Sequence, residues 1–138
     1  MMTMETADRD TLIAWQSRRL AQLLADIHGR NPFYTQKLDR AGIRIDALRL
    51  PDDFATLPMT VKAELVADQE AHAPWGTALT EPIERYTRYC HTSSTTGRPL
   101  KWVDTNESWQ WMLDCWKVVF RAGGIGEAGA AAFARVSI

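Results

Sequence analysis

Apolar positions in the first half of this 138-residue chain recur at helical spacing. Leu20, Leu23, Leu24 and Ile27 follow the i, i+3, i+4, i+7 pattern of one buried helix face. Asp8 or Asp10 can cap that helix, and Gly29 stops it. Asn31-Pro32 then supplies an N-cap followed by proline at the first helical position, which predicts a short helix through Leu38 ending at Gly42. After the Leu57-Pro58 break, Thr60 is expected to cap a third helix from Val61 to about Asp68. From Ala71 to Pro82 two prolines and Gly76 predict a loop.

The second half changes period. Tyr86, Arg88, Cys90 and Thr92 alternate with Thr87, Tyr89, His91 and Ser93, and the aromatic and threonine content suits a strand. Leu100-Lys101-Trp102-Val103 reads as a second strand that could close a hairpin. Thr105 is placed to cap the next helix, with Glu107 complementing the helix N-terminus. In that helix Trp109, Met112, Leu113, Trp116 and Phe120 form one stripe, and Trp111, Cys115, Val118 and Ala122 form another beside it. So wide an apolar circumference belongs inside a larger body. Gly123-Gly124 ends the helix, and the alanine-rich stretch from Gly126 to Ile138 carries no terminating element.

Composition narrows the classes. With 46% apolar and 24% charged residues the chain is globular rather than disordered. Its net charge of −1 gives no reason to expect nucleic acid or an anionic membrane as a partner. Cys90 and Cys115 fit neither a metal nor a redox spacing and read as reduced cytosolic thiols. The start, Met1-Met2-Thr3-Met4-Glu5, has neither the basic nor the apolar region of a secretory signal, and no apolar run approaches membrane-spanning length. Together these predict a cytoplasmic protein. Six tryptophans are many for this length, and Trp102, Trp109, Trp111 and Trp116 lie close together in sequence. Such clusters are more often core than an apolar ligand pocket, and core is the expectation here.

The candidate chemistry sits between the two strands, in Thr92-Ser93-Ser94-Thr95-Thr96-Gly97-Arg98-Pro99. A run of hydroxyls cannot build a core, because each buried hydroxyl needs a partner. It can wrap a polyanion, since small residues let backbone N–H groups approach phosphate and the hydroxyls add rotatable donors. It can equally be a hairpin loop whose hydroxyls bond their own backbone. Neither the Walker ending nor the dinucleotide fingerprint is present. His28, His72 and His91 are too scattered for a metal site, and Ser93 and Ser94 lack a nucleophile elbow. Glu64, Asp68 and Glu70 read as a solvated helix face.

Taken in order, several segments resemble the N-terminal part of AMP-forming acid–CoA ligases, in the phenylacetate–CoA ligase-like branch of the adenylate-forming superfamily. Asn31-Pro32-Phe33-Tyr34 with Leu38 looks like the family's early helix. Leu57-Pro58-Met59-Thr60-Val61-Lys62-Ala63-Glu64-Leu65 looks like its LPxTxKxxL segment. Thr92 to Pro99 is similar to its S-G-T-T-G-x-P phosphate loop, and Thr105 opens the helix that follows. The resemblance covers roughly residues 12 to 126.

It implies an α/β fold. Residues 1–138 would be part of an AMP-binding domain, with a helical cap over about 8–70 and the first strands, phosphate loop and buried helix over about 84–138. It implies a ligase that joins a carboxylic acid to ATP, releases pyrophosphate and passes the acyl group to coenzyme A, with Mg²⁺ sharing the phosphate charge. Ser93, Ser94, Thr95, Thr96 and Gly97 would form the ATP phosphate loop; Lys101 would assist, although the family often places a lysine one position earlier, where this chain has Leu100. Ser94 stands where the family has glycine, and at a position needing positive φ that costs about 1 kcal/mol. The family's adenine-binding segments, acid pocket, metal-associated acid and C-terminal domain with its catalytic lysine all lie further along than this sequence runs. The expectation is therefore a fragment, truncated or frame-shifted, that is inactive alone and needs downstream chain or a covering partner. No catalytic residue and no protein metal ligand is expected within it. Two other readings are a stand-alone helical interaction module docking through its Trp109–Phe120 face, and a small nucleotide-binding protein without acyl transfer.

Overall fold

A computed structural model describes residues 6–93, 98–126 and 129. Its order is α1 (Arg9–Ile27), α2 (Pro32–Arg40), α3 (Lys62–Ala71), β1 (Tyr86–His91), β2 (Lys101–Thr105) and α4 (Asn106–Ala122), with short 3-10 turns at Ile45–Ala47, Asp52–Thr56 and Ile83–Arg85. Two compact units result, one from residues 1–84 with 90–102 and the other from 85–89 with 103–138.

Local chemistry sets the helix starts. The Asp8 carboxylate accepts the Thr11 N–H at 2.8 Å, so Asp8 rather than Asp10 caps α1. Leu24 is buried, whereas Leu23, on the same predicted stripe, is exposed. α1 leaves at Gly29, whose φ of +80° is the left-handed conformation that a helix end favours. The Asn31 side chain accepts the Tyr34 N–H at 3.1 Å and Pro32 opens α2, as the sequence predicts. For α3 the cap lies one residue beyond the expected Thr60. Val61 occupies the N-cap, and the Glu64 carboxylate reaches back to its N–H at 2.8 Å. A glutamate in the first turn thus satisfies a terminal donor from inside the helix. α3 also runs on past Asp68 to Ala71.

β1 and β2 form a two-stranded sheet. The Thr92 N–H donates to the Leu100 carbonyl at 3.0 Å where β1 ends and β2 begins. At the opposite ends of the strands the Thr87 hydroxyl donates to the Asn106 side-chain oxygen at 2.7 Å. The strands are therefore antiparallel, a hairpin as expected, although β1 stops at His91 and β2 extends to Thr105. Along β1 the predicted alternation holds from Tyr86 to Tyr89 and fades where Cys90 and His91 are both exposed.

The first unit closes around Leu24, Leu38 and Leu100, and the second around Leu113. Among the described residues the tryptophan cluster is largely uncovered. Trp111 is 53% exposed and Trp102 49%, and Trp116, Met112 and Val119 also face solvent. Trp109 alone of the cluster is half-buried, with the Arg88 guanidinium 3.4 Å from its ring centroid, a close cation–π contact. α4 carries more apolar circumference than one hairpin can cover.

Candidate functional site: the loop between the strands

The candidate loop hangs from the hairpin, and its base is built by Thr92. Besides its N–H bond to Leu100, the Thr92 hydroxyl accepts the Leu100 N–H at 3.1 Å. The first hydroxyl of the run is thus spent on the chain's own backbone, as hairpin-loop hydroxyls commonly are. Ser93 follows, exposed. Ser94, Thr95, Thr96 and Gly97 lie outside the described residues, so the structure carries no account of the expected phosphate-holding positions themselves or of Ser94 in the family's glycine place.

The arm that returns from the loop is held by α3. Glu70 forms an ion pair with Arg98. The Gln69 side chain takes both backbone groups of Lys101: its oxygen accepts the Lys101 N–H at 3.1 Å, and its nitrogen donates to the Lys101 carbonyl at 2.8 Å. Leu100 points its backbone groups toward β1 and Lys101 points its own the other way, so the Gln69 amide stands where a further strand would pair. An unpaired edge is thereby capped by a side chain. The Lys101 ammonium donates to the Pro74 carbonyl at 3.1 Å and lies 5.9 Å from the Trp75 ring centroid.

The turn that presents Pro74 is itself fixed by α3. The Asp68 carboxylate accepts the Thr77 N–H at 2.6 Å and its hydroxyl at 2.7 Å, and the side chain is only 10% exposed. Gly76, at φ +76°, lies so close that any Cβ there would run into this carboxylate. His72 adds a contact to Asp68 at 3.2 Å. Further on, Asn31, the most buried polar residue among the described residues at 3% exposure, donates from its amide to the Thr80 hydroxyl at 3.0 Å while still capping α2. Arg30 pairs with Glu81, and the Phe33 N–H donates to the Thr77 carbonyl at 3.4 Å. Lys37 of α2 pairs with Glu64 of α3. That ion pair, followed by the Val61 N–H, draws the Glu64 pKa below the ordinary glutamate value.

Of the expected solvated face of α3, Glu64 and Glu70 are exposed while ion-paired, and Asp68 is the correction, its side chain drawn in by Thr77. The reason is long-range. Lys37, Thr77 and Arg98 come from three other segments, which no periodicity within α3 reveals. The histidines behave as surface groups, His28 meeting Asp39 at 3.1 Å and His91 lying near the Thr92 carbonyl. Cys90 and Cys115 are free and exposed. Among the described residues no three His, Cys, Asp or Glu side chains converge as a metal site would require. No helix of the described residues is long and apolar enough to cross a membrane.

The architecture is that of adenylate-forming coenzyme A ligases. Crystal structures of 2-hydroxyisobutyryl-CoA ligase match 81% of this chain: an open form with 2-HIB-AMP and CoA at TM-score 0.73 and 26% identity, and a thioesterification state with the same ligands at 0.74 and 28%. This chain covers 26% and 24% of those chains. By sequence it is a homologue of the phenylacetate–coenzyme A ligases. It is 36% identical over 96 residues to that of Thermus thermophilus and 35% identical over 95 residues to that of Escherichia coli, which is 70% and 69% of this chain. It spans about one fifth of the length of these relatives, 20% and 21%. No protein-family profile matches the chain.

Proposed function

We propose that this chain is the phosphate-gripping portion of an ATP-dependent acid–coenzyme A ligase acting on phenylacetate or a related aryl acid in the cytoplasm. The homology to phenylacetate–coenzyme A ligases over 70% of the chain carries the reading. The hydroxyl-rich loop, Ser93 to Gly97 with Lys101, holds the β- and γ-phosphates of ATP while the carboxylic acid attacks the α-phosphate. Donors fixed on the leaving pyrophosphate stabilise the charge that grows there. Mg²⁺, when bound with ATP, shares that charge. Support from this structure lies in the scaffold. Two segments that resemble the family are joined by the Lys37–Glu64 pair, and the helix that carries Glu64 also holds the loop's returning arm through Gln69 and Lys101.

The residues that would bind adenine, choose the acid and receive coenzyme A belong to the four fifths of the relatives' length that this chain does not span. Alone, residues 1–138 are inactive, and the apolar α4 face is covered by further ligase chain, joined or separate. Purified 1–138 incubated with MgATP, phenylacetate and CoA should release no AMP, while MgATP should bind and Thr96→Ala should weaken that binding about tenfold. Turnover would overturn the inactivity, and equal ATP binding by wild type and Thr96→Ala would overturn the loop assignment. An interaction module docking through α4 draws support only from the exposed apolar face, and a small nucleotide-binding protein only from the loop. Neither explains the homology along the rest of the chain.

A further inference from the structure

We propose that α4 is a dimer interface: a second copy of this chain lays its own α4 antiparallel across the exposed apolar face, with Cys115 of the two copies beside the twofold axis. The inference does not depend on the loop. In a ligase whose further chain covers α4 the face is taken, so the pairing belongs to the 138-residue chain on its own.

Cys115, free and exposed, stands at the middle of the open side of α4, and the buried Leu113 faces the other way. Within about 60° of Cys115 around the helix lie Ser108, Trp111, Met112, Val118, Val119 and Ala122, all exposed and none charged. The charges of α4 occupy one rim of this face, and they are ordered by sign. Glu107 and Asp114 lie toward the N-terminus, Lys117 and Arg121 toward the C-terminus. That order selects the occupant. A twofold axis across the helix brings the same rim of two copies together in opposite directions, so Glu107 of each stands opposite Arg121 of the other. Glu107 can be reached there, because its contact with Arg85 is 3.4 Å and leaves its side chain 72% exposed. Asp114, at the midpoint of the rim, is neutralised within its own copy by the Lys117 ammonium at 2.7 Å. The apolar rim asks for the same register: Met112 of one copy comes opposite Trp116 of the other, a favourable sulfur–aromatic pairing. Pairing in the same direction would instead set like helix ends side by side and lay the charged rim against Trp116. One 17-residue helix face per copy is a small interface, which predicts a weak dimer with a Kd of about 10–100 µM.

The test uses the 138-residue chain and two readouts, sedimentation over a concentration series and oxidative cross-linking. Sedimentation should pass from monomer to dimer, and no further, as concentration rises from about 1 to 300 µM. Glu107→Arg and Arg121→Glu should each weaken the dimer about tenfold, and the double exchange should restore it to within about threefold of wild type. Rescue can only act between copies, since the two residues lie about 21 Å apart along one helix. With helix axes 8–10 Å apart, the two Cys115 Cα atoms should come within about 6 Å of each other, in reach of a disulfide. A Cys90→Ser chain should therefore oxidise to a covalent dimer through Cys115, while a Cys115→Ser chain should not. The cross-link also carries the test if a charge variant does not fold. A monomer at all concentrations overturns the proposal, as do open-ended aggregates. A dimer that neither cross-links through Cys115 nor regains strength in the double exchange overturns it equally, because its contact then lies elsewhere.

Discussion

The surroundings of the loop and the surface of α4 are built on opposite principles. Around the loop, polar side chains from distant segments are matched one to one: Asn31 with Thr80, Asp68 with Thr77, Gln69 with Lys101, Glu70 with Arg98. On α4, Trp111, Met112, Trp116 and Val119 face solvent, and Leu113 alone is buried. Hydrogen bonds are directional and local, so a polar scaffold can be complete in a short chain. Apolar burial needs area on both sides, which a helix and a hairpin do not supply. The first region is tied by its own polar contacts, and the second leaves large apolar side chains exposed among the described residues.

The sharpest way to break that contrast is within α4. Leu113→Ala removes the buried contact of the second unit and should cost about 2–4 kcal/mol. Val119→Gln, on the same helix at 56% exposure, should stay within about 0.5 kcal/mol of wild type and reduce self-association. Denaturant midpoints together with sedimentation measure both. Equal destabilisation by the two substitutions would mean that the exposed face is already packed in solution.

In the polar region the largest effect should come from Gly76→Ala. A methyl there meets the Asp68 carboxylate, and the backbone sits at φ +76°, so the substitution should cost about 1–3 kcal/mol. Asn31→Ala should follow at about 1–2 kcal/mol, because it removes the α2 cap and leaves the Thr80 hydroxyl without that donor. Thermal melts of both variants against wild type measure the losses. Neutral outcomes would show that the 74–81 segment is not tied to α2 and α3 as described.

Much of the polar region's outline could be read from sequence, and little of its wiring. Asp8, Asn31-Pro32 and Thr105 announce their helix starts because capping is decided within four residues. The strand alternation around Tyr86 and Arg88 announces the hairpin for the same local reason. Gln69 and Asp68 gave no signal, since a glutamine or aspartate in a helix looks the same whether it meets water or a backbone group contributed from elsewhere. The shift of the α3 cap from Thr60 to Val61 is a local competition that Glu64 wins by reaching back. The tryptophans carry a different kind of information. Their stripe states what the helix needs to bury, and what this chain supplies to cover it is a separate matter. For the candidate site, the sequence marked the hydroxyl run, and the structure adds how Thr92 closes its base and α3 holds its exit.

The smallest predicted effect concerns pH and the Lys37–Glu64 pair. The Glu64 carboxyl is held below its ordinary value of 4.5, first by Lys37 and then by the Val61 N–H. A group whose folded pKa is depressed contributes stability in full above its unfolded value, and that contribution is lost as pH falls through the folded one. Glu64→Gln should therefore be slightly less stable than wild type at neutral pH, with the difference closing below the ordinary carboxylate range. Asp8, Glu107 and Asp114 are shifted in the same direction by their own cap and ion-pair contacts, and they cancel in the wild-type-minus-variant difference. The pair is partly exposed, so the gap should also narrow in high salt. Melts from pH 3 to 7 at two salt concentrations test this, and a gap that widens toward acid would place the Glu64 proton on the opposite side of the balance from the one its contacts require.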